Sequence, residues 1–250
     1  RRLGQLGQIA RSYDAHEGGF GVAPKFPRPV TLNFLARMYA RAPKSDSGKH
    51  ALEMNLFTLR KMAAGGMHDH LGGGFHRYSV DSYWHVPHFE KMLCDQAQLA
   101  VAYLEAFQIT RDPLFENVAR DTLDYVWRDM TAKEGGFFSA EDADSEVPGS
   151  PERKKSEGAF YIWSKEEIDA ALGSPAETFN FHYGVKPGGN VSPGADPHAE
   201  FTGKNILIEL QTVADTAKHF KKEEAELLAR GLEAAQNAVH LINDFIAQGK

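Results

Sequence analysis

Apolar residues recur at intervals of three or four along much of the chain, as they do on one face of a helix. Such stripes cover residues 52–63, 93–107, 115–130 and 228–246, and residues 31–39 carry a shorter one. This pattern predicts a protein built mainly from amphipathic helices.

Two of the predicted helices begin with recognisable capping residues. Asp112 stands before Pro113, the order typical of an N-cap followed by the first helical position. Ser164 is followed three residues later by Glu167, which is a capping box. No comparable signal predicts long strands, because runs rich in strand-forming residues, such as 159–163, are short and isolated. We expect these runs to form small hairpins within loops.

The tripeptide Gly-Gly-Phe occurs three times, at residues 18–20, 73–75 and 135–137, with spacings of 55 and 62 residues. A repeat of this length holds two helices and their turns, so each repeat is predicted to be a helical hairpin. A hairpin must stack on its neighbours to bury its apolar face. Stacking in a circle would form a toroid and gather the glycine-rich loops around one cavity, whereas a linear solenoid is the alternative.

The amino-acid composition argues against nucleic acids and membranes as binding partners. The chain has 28 Lys and Arg against 34 Asp and Glu and lacks a basic run, which argues against nucleic acid. No stretch approaches the ~20 apolar residues that span a bilayer, so no membrane association is expected. Cys94 is the single cysteine, which excludes an internal disulfide and is compatible with a cytoplasmic location.

Most of the candidate catalytic residues lie in the segment from Gly65 to Gln98. A stretch of 21 residues inside this segment contains five of the eleven histidines of the chain. Imidazole titrates near neutrality, and glycine-rich backbone allows a ligand to approach closely. We predict catalytic roles in proton transfer for the imidazoles and the nearby carboxylate of this segment, namely His76, His85, His88 and Glu90. Hydrogen bonds that merely hold the loops together are the alternative interpretation.

The third Gly-Gly-Phe loop is acidic and would face the histidine segment if the ring closes. Glu141 and Asp142 are the predicted catalytic carboxylates, and a solvated acidic turn is the alternative. Predicted ligand-binding residues complete the site: Lys25, His70, Arg77, Tyr78, Trp84 and Asp144. Lys25 could equally hold an acidic ligand or a neighbouring carboxylate, and the aromatic residues could pack the core. His68 and His70 lack a spaced partner, so neither a metal nor another cofactor is expected.

Three motifs carry a resemblance to a known family. They are Gly19-Phe20-Gly21-Val22-Ala23-Pro24-Lys25-Phe26-Pro27, the segment from Asp69 to Ala97, and Gly136-Phe137-Phe138-Ser139-Ala140-Glu141-Asp142-Ala143-Asp144-Ser145. Together they resemble the family of spermatogenesis-associated protein 20 and bacterial YyaL. The resemblance implies an all-α (α/α)6 toroid of the six-hairpin glycosidase and N-acylglucosamine 2-epimerase type. It further implies that residues 1–250 form a single, incomplete toroid domain and that an N-terminal thioredoxin-like domain is an intramolecular partner in the full-length protein.

Sugar epimerases of the same superfamily carry a stretch similar to Lys91-Met92-Leu93-Cys94-Asp95-Gln96-Ala97, with Tyr in place of Cys94. This likeness implies that Lys91, Asp95 and Gln96 also bind the substrate. We therefore expect a small carbohydrate ligand and acid/base chemistry, with epimerisation or isomerisation ahead of hydrolysis. The alternative is a non-catalytic module that binds a carbohydrate or a protein, which the loss of the tyrosine favours. A third possibility is a fragment that is inactive by itself.

Overall fold

A computed structural model describes residues 2–147, 150 and 152–227. The helix predicted at 228–246 lies outside these residues. The described residues divide into two compact units: unit 1 consists of residues 2–68 and 73–142, and unit 2 consists of residues 69–72 and the described residues between 143 and 227. The expectation of a single domain over residues 1–250 stays a prediction.

Unit 1 is built mainly from five helices and contains two pairs of very short strands. The helices are α1 (Arg2–Ser12), α2 (Pro29–Arg41), α3 (Asp46–Ala64), α4 (Leu93–Thr110) and α5 (Pro113–Asp129). The strands are β1 (Tyr78–Ser79), β2 (Pro87–His88), β3 (Lys91–Met92) and β4 (Ala140–Glu141), with β1 antiparallel to β2 and β3 antiparallel to β4. Helix α2 packs on α3 and α4 packs on α5, so both pairs are helical hairpins.

The helices of unit 1 follow from the apolar stripes and from their caps. The Asp112 carboxylate accepts a hydrogen bond from the backbone N–H of Leu114, and Pro113 occupies the first turn of α5. Phe115 and Tyr125 lie on the buried face of α5, and Phe115 joins one hydrophobic core with residues of α2, α3 and α4. The all-α fold class is therefore confirmed, and the two hairpins are of the kind that an (α/α)6 toroid stacks. Over the residues that the structure describes, no helix is long and apolar enough to cross a membrane.

The three Gly-Gly-Phe loops share one backbone conformation. Both glycines of each loop have a positive φ, from 68° to 92°, which side chains rarely tolerate. The phenylalanine of each loop pairs back with the residue six or seven positions earlier, as in Tyr13 with Phe20 and His68 with Phe75. The predicted repeat is confirmed at this level. The loops differ in burial, since Phe20 and Phe75 are 2% and 0% exposed whereas Phe137 is 55% exposed.

Unit 2 contains shorter elements. They are β5 (Asp144–Glu146), β6 (Lys155–Glu157), α6 (Lys165–Leu172), α7 (Ala176–His182), α8 (Val213–Phe220) and α9 (Glu224–Glu226), with β5 antiparallel to β6. The predicted capping box opens α6, since the Ser164 hydroxyl accepts from the Glu167 N–H and the Glu167 side chain accepts from the Ser164 N–H. Trp163 and Phe179 lie in the core of this unit.

Candidate functional site

The histidine-rich segment is organised by a tight hairpin between β1 and β2. The Asp81 carboxylate accepts hydrogen bonds from the backbone N–H groups of Tyr83 at 2.7 Å, His85 at 3.2 Å and Val86 at 2.8 Å. Trp84 is fully buried with a φ of 63°, and its indole N–H donates to a carbonyl of the first Gly-Gly-Phe region. These contacts fix the turn and therefore the register of the two strands.

That register places a group of polar side chains together on unit 1. The Arg77 guanidinium donates to a carboxylate oxygen of Glu90 at 2.6 Å, and His88 Nε2 lies 4.0 Å from the same oxygen. Asp95, in the first turn of α4, interacts electrostatically with both Arg77 and Glu90. We call Arg77, His88, Glu90 and Asp95 the Glu90 cluster.

The carboxyl groups of the Glu90 cluster lie in different environments. Burial is the largest influence on Asp95 and raises its pKa, nearby Arg77 opposes this, and the negative charge of Glu90 adds to it, so that the net pKa is raised. The Glu90 carboxylate instead accepts a charge-assisted hydrogen bond from Arg77. Two carboxyl groups in such different surroundings can serve as a proton donor and a proton acceptor.

His76 lies beside the Glu90 cluster in the interior. Its Nδ1 is 3.0 Å from the carbonyl oxygen of Phe89, and its ring meets the Phe89 ring edge-on. Because a carbonyl only accepts hydrogen bonds, Nδ1 carries a proton, and in the neutral ring the basic lone pair is on Nε2. This contact fixes both the tautomer and the orientation of the ring.

Aromatic rings form one wall of the cluster. The Tyr78 ring stacks on His88 with centroids 5.0 Å apart, and Phe26 stacks on the other side of Tyr78 at 4.7 Å. Tyr78 and His88 are directly opposite in the β1–β2 register. The stack holds the His88 ring next to Glu90.

Two residues predicted to bind the substrate hold the second Gly-Gly-Phe loop. The buried Lys91 ammonium donates to the Gly73 carbonyl at 2.9 Å and lies 4.2 Å from the centroid of the Tyr125 ring. The Gln96 amide exchanges two hydrogen bonds with the backbone of Phe75. The Tyr125 hydroxyl donates to Glu141 at 2.6 Å, and Glu141 pairs with Lys91 across β3 and β4.

Lys25 performs an equivalent task in the first Gly-Gly-Phe loop. Its buried ammonium donates to Asp14 at 2.7 Å, to the Gly18 carbonyl at 2.9 Å and to the Ser82 carbonyl at 2.8 Å. Burial raises the pKa of Asp14, but hydrogen bonds from Lys25 and from two backbone N–H groups outweigh it and lower that pKa to about 2. Lys25 therefore contacts a neighbouring carboxylate, which is one of the two roles predicted for it, and its role in ligand binding stays a prediction. Trp84 likewise lies in the core.

The remaining predicted site residues are distributed over both units. His85 is half-buried on the β1–β2 turn, and Asp142 is exposed at the end of unit 1. His70 and Asp144 belong to unit 2, where the His70 ring packs on Tyr183 and exposed Asp144 lies in β5. The structure therefore brings together His76, Arg77, Tyr78, His88, Glu90 and Asp95.

Sequence reasoning missed Phe26 as a member of the aromatic wall, although it lies inside the Ala-Pro-Lys-Phe-Pro motif. It also treated Cys94 only as a departure from the family motif. The Cys94 thiol is exposed and interacts electrostatically with Arg77 of the Glu90 cluster. In the described ranges, no group of three or more His, Cys, Asp and Glu side chains is arranged to hold a metal ion.

Comparison with known proteins identifies relatives that match most of this chain. The chain is 45% identical over 223 residues to human spermatogenesis-associated protein 20, which covers 85% of this chain and 28% of the relative. The mouse protein of the same name is 43% identical over 261 residues, covering 96% of this chain and 32% of the relative. The chain thus spans about a third of the length of the curated relatives it matches. No known family profile matches it.

Among solved structures, cellobiose 2-epimerase from Bacillus thermoamylovorans is similar with a TM-score of 0.48 and 14% identity. That similarity covers 68% of this chain and 47% of the epimerase. A sugar epimerase from a ruminal bacterium is similar with a TM-score of 0.46 and 16% identity, over 63% of this chain and 42% of that protein.

Proposed function

We propose, for a chain that belongs to the family of spermatogenesis-associated protein 20, that the Glu90 cluster binds a neutral sugar and transfers protons on it. One observation carries the proposal. Glu90 lies within 4.0 Å of both a guanidinium and an imidazole, and the pKa of the neighbouring Asp95 is raised. A base, an acid and a fixed positive charge are the groups that proton abstraction beside a carbonyl requires.

The favoured reaction is epimerisation or isomerisation. His88, whose ring lies against the Glu90 carboxylate that stabilises its protonated form, takes a proton from the carbon next to the sugar carbonyl, and the electron pair of the broken C–H bond moves into an enediolate. Arg77 stabilises the negative charge that develops on the carbonyl oxygen. We assign to Asp95 the proton that restores a C–H bond, because burial raises the pKa of this carboxyl group above its ordinary value. The sugar gains and loses one proton, so no oxidant or reductant is needed.

The charges around the cluster favour a neutral sugar over a phosphorylated or acidic one. Arg77 is already paired with Glu90, and Lys25 and Lys91 are buried with their ammonium groups bonded to protein acceptors. An anionic group on the ligand would therefore compete with the Glu90 carboxylate for Arg77 and would lie beside the carboxyl groups of Glu90 and Asp95. Desolvating such a ligand beside two carboxyl groups is unfavourable.

Proton exchange in heavy water tests this function. The chain is incubated with glucose, mannose, fructose and N-acetylglucosamine in D2O, and NMR follows deuterium entering the position beside the carbonyl carbon. We expect exchange with at least one sugar, and its loss in His88→Asn and Glu90→Gln. The matched control changes His50→Asn and Glu53→Gln, because these residues form an exposed pair at 3.7 Å on α3. Absence of both exchange and calorimetric binding for all four sugars refutes the proposal.

A non-catalytic sugar-binding module is the second candidate. It is favoured by Cys94, which is exposed, interacts electrostatically with Arg77, and occupies the position of a tyrosine in the motif of the sugar epimerases. In that case any chemistry belongs to the thioredoxin-like domain that the family resemblance implies. Binding of a sugar without deuterium exchange would distinguish this candidate from the enzyme.

A further inference from the structure

Phe26 is an exposed aromatic ring that is held in place from both sides. Its neighbours Lys25 and Pro27 are buried, while the Phe26 side chain is 43% exposed. The backbone of Lys25 exchanges two hydrogen bonds with Ser79 of β1, at 2.7 and 2.9 Å. The Lys25 ammonium is bonded to three further acceptors. The ring is thus presented to solvent from a rigid support.

The stack connects Phe26 to the proton-transfer residues. One face of the ring is covered by Tyr78, and Tyr78 in turn lies against His88, whose Nε2 is 4.0 Å from Glu90. Because one face is covered, the exposed part of Phe26 lies on its opposite face and rim. A flat apolar surface therefore faces solvent two ring spacings away from His88.

We infer that the outer face of Phe26 is a subsite for a second sugar ring, so that the ligand is an oligosaccharide. This inference rests on the proposed function of the Glu90 cluster. The C–H groups on one face of a pyranose form an apolar surface that packs on an aromatic ring. A ligand that reaches from Glu90 to this face must pass ring spacings of 5.0 and 4.7 Å, which is more than one sugar ring covers.

The competing explanation is that Phe26 only shields Tyr78 from water. Truncation of Phe26 would then lower stability, and it would change the affinity for short and long sugars by the same factor. Chain-length dependence is therefore the property that distinguishes a subsite from a structural contact. Phe160 in unit 2 provides a matched control, because its side chain is 40% exposed and its ring contacts Tyr161.

Calorimetry compares glucose and mannose with cellobiose and maltose, using the wild-type chain, Phe26→Ala, Phe26→Leu, Phe26→Tyr and Phe160→Ala. We expect at least one disaccharide to bind about 3- to 10-fold more tightly than its monosaccharide. Phe26→Ala and Phe26→Leu should abolish that difference whatever they do to the monosaccharide affinity, because the ratio of the two affinities reports only the contact of the second sugar ring. Phe26→Tyr and Phe160→Ala should retain the difference.

Each other outcome overturns a specific statement. Equal affinities for monosaccharides and disaccharides in the wild-type chain refute the subsite and leave the proposed function standing. A preference for disaccharides that survives in Phe26→Leu also refutes the subsite, because leucine keeps a large apolar side chain at this position but lacks the flat aromatic face. Failure of every sugar to bind refutes the proposed function itself and the subsite with it.

Discussion

Replacement of Lys25 by Met should destabilise unit 1 substantially. The Lys25 ammonium is buried and donates to the Asp14 carboxylate and to the Gly18 and Ser82 carbonyls. Methionine fills a similar volume, so little of the loss comes from a cavity. The buried Gly18 carbonyl and the partly buried Ser82 carbonyl each lose a donor, which costs about 1 kcal/mol apiece. Asp14 is partly exposed and regains water, which adds about another 1 kcal/mol. We expect the free energy of unfolding to fall by about 3 kcal/mol in total.

Urea unfolding followed by circular dichroism measures this loss, with exposed Lys49→Met on α3 as the matched control. The pH dependence provides a second check. The pKa of folded Asp14 is about 2, below the usual 3.8, so its pairing with Lys25 stabilises the fold above pH 4 and is lost as pH falls towards 2. The difference in free energy of unfolding between the wild type and Lys25→Met should therefore become smaller as the pH falls from 4 to 2. A Lys25→Met variant as stable as Lys49→Met at pH 7 would refute the reasoning.

Two further predictions concern the repeat and the buried histidine of unit 2. In Gly74→Ala, the new Cβ would lie 2.5 Å from a ring carbon of Tyr125 at a φ of +75°, whereas Cβ of Gly136→Ala would meet no atom within 4 Å at a φ of +85°. Thermal and urea unfolding should show that the free energy of unfolding falls by about 3 to 4 kcal/mol in Gly74→Ala and by about 1 kcal/mol in Gly136→Ala. Equal decreases in the two variants would contradict the packing argument. Burial lowers the pKa of His182 from 6.5 to about 4, so stability should decrease as pH falls from 6.5 to 4. The free energy of unfolding should fall by about 3 kcal/mol over this pH range. This decrease should vanish in His182→Gln and persist in the control His50→Gln, whose histidine is exposed. The same pH dependence in His182→Gln as in the wild type would exclude His182 as its cause.

The helices that the sequence predicted correctly carry an apolar stripe, as α2 and α4 do, a capping signal, as α6 does, or both, as α5 does. Helix α5 begins where Asp112 and Pro113 indicated, and α6 begins at the capping box of Ser164. Helices α1, α7, α8 and α9 were not predicted. The last three have only 7, 8 and 3 residues, too few for a clear periodicity, and α1 contains Gly4 and Gly7, which are unfavourable inside a helix. Short hairpins occur at β1–β2 and β5–β6, but the run 159–163, which was expected to form one, is a turn followed by a single bridge between Trp163 and Asn205.

The composition of the site was harder to predict, because it depends on strand register rather than on spacing along the chain. Arg77 and Glu90 are 13 residues apart, and they meet because the Asp81 turn sets Tyr78 opposite His88. Lys25 and Lys91 were expected near a ligand from their motifs. A buried lysine that donates to a loop carbonyl and an exposed lysine that binds a ligand have the same local sequence signal, and only the packing distinguishes them.

Reaction of Cys94 with a thiol reagent provides the most direct measurement of ligand binding at the Glu90 cluster. Cys94 is the single cysteine of the chain, it is exposed, and it lies near Arg77. The rate of reaction with neutral 4,4′-dithiodipyridine is measured against rising concentrations of neutral sugars and of glucose 6-phosphate. We predict that a neutral sugar slows the reaction saturably, and that Glu90→Gln abolishes this protection. Unchanged rates with every neutral sugar, together with protection by glucose 6-phosphate, would contradict a neutral-sugar site at Glu90.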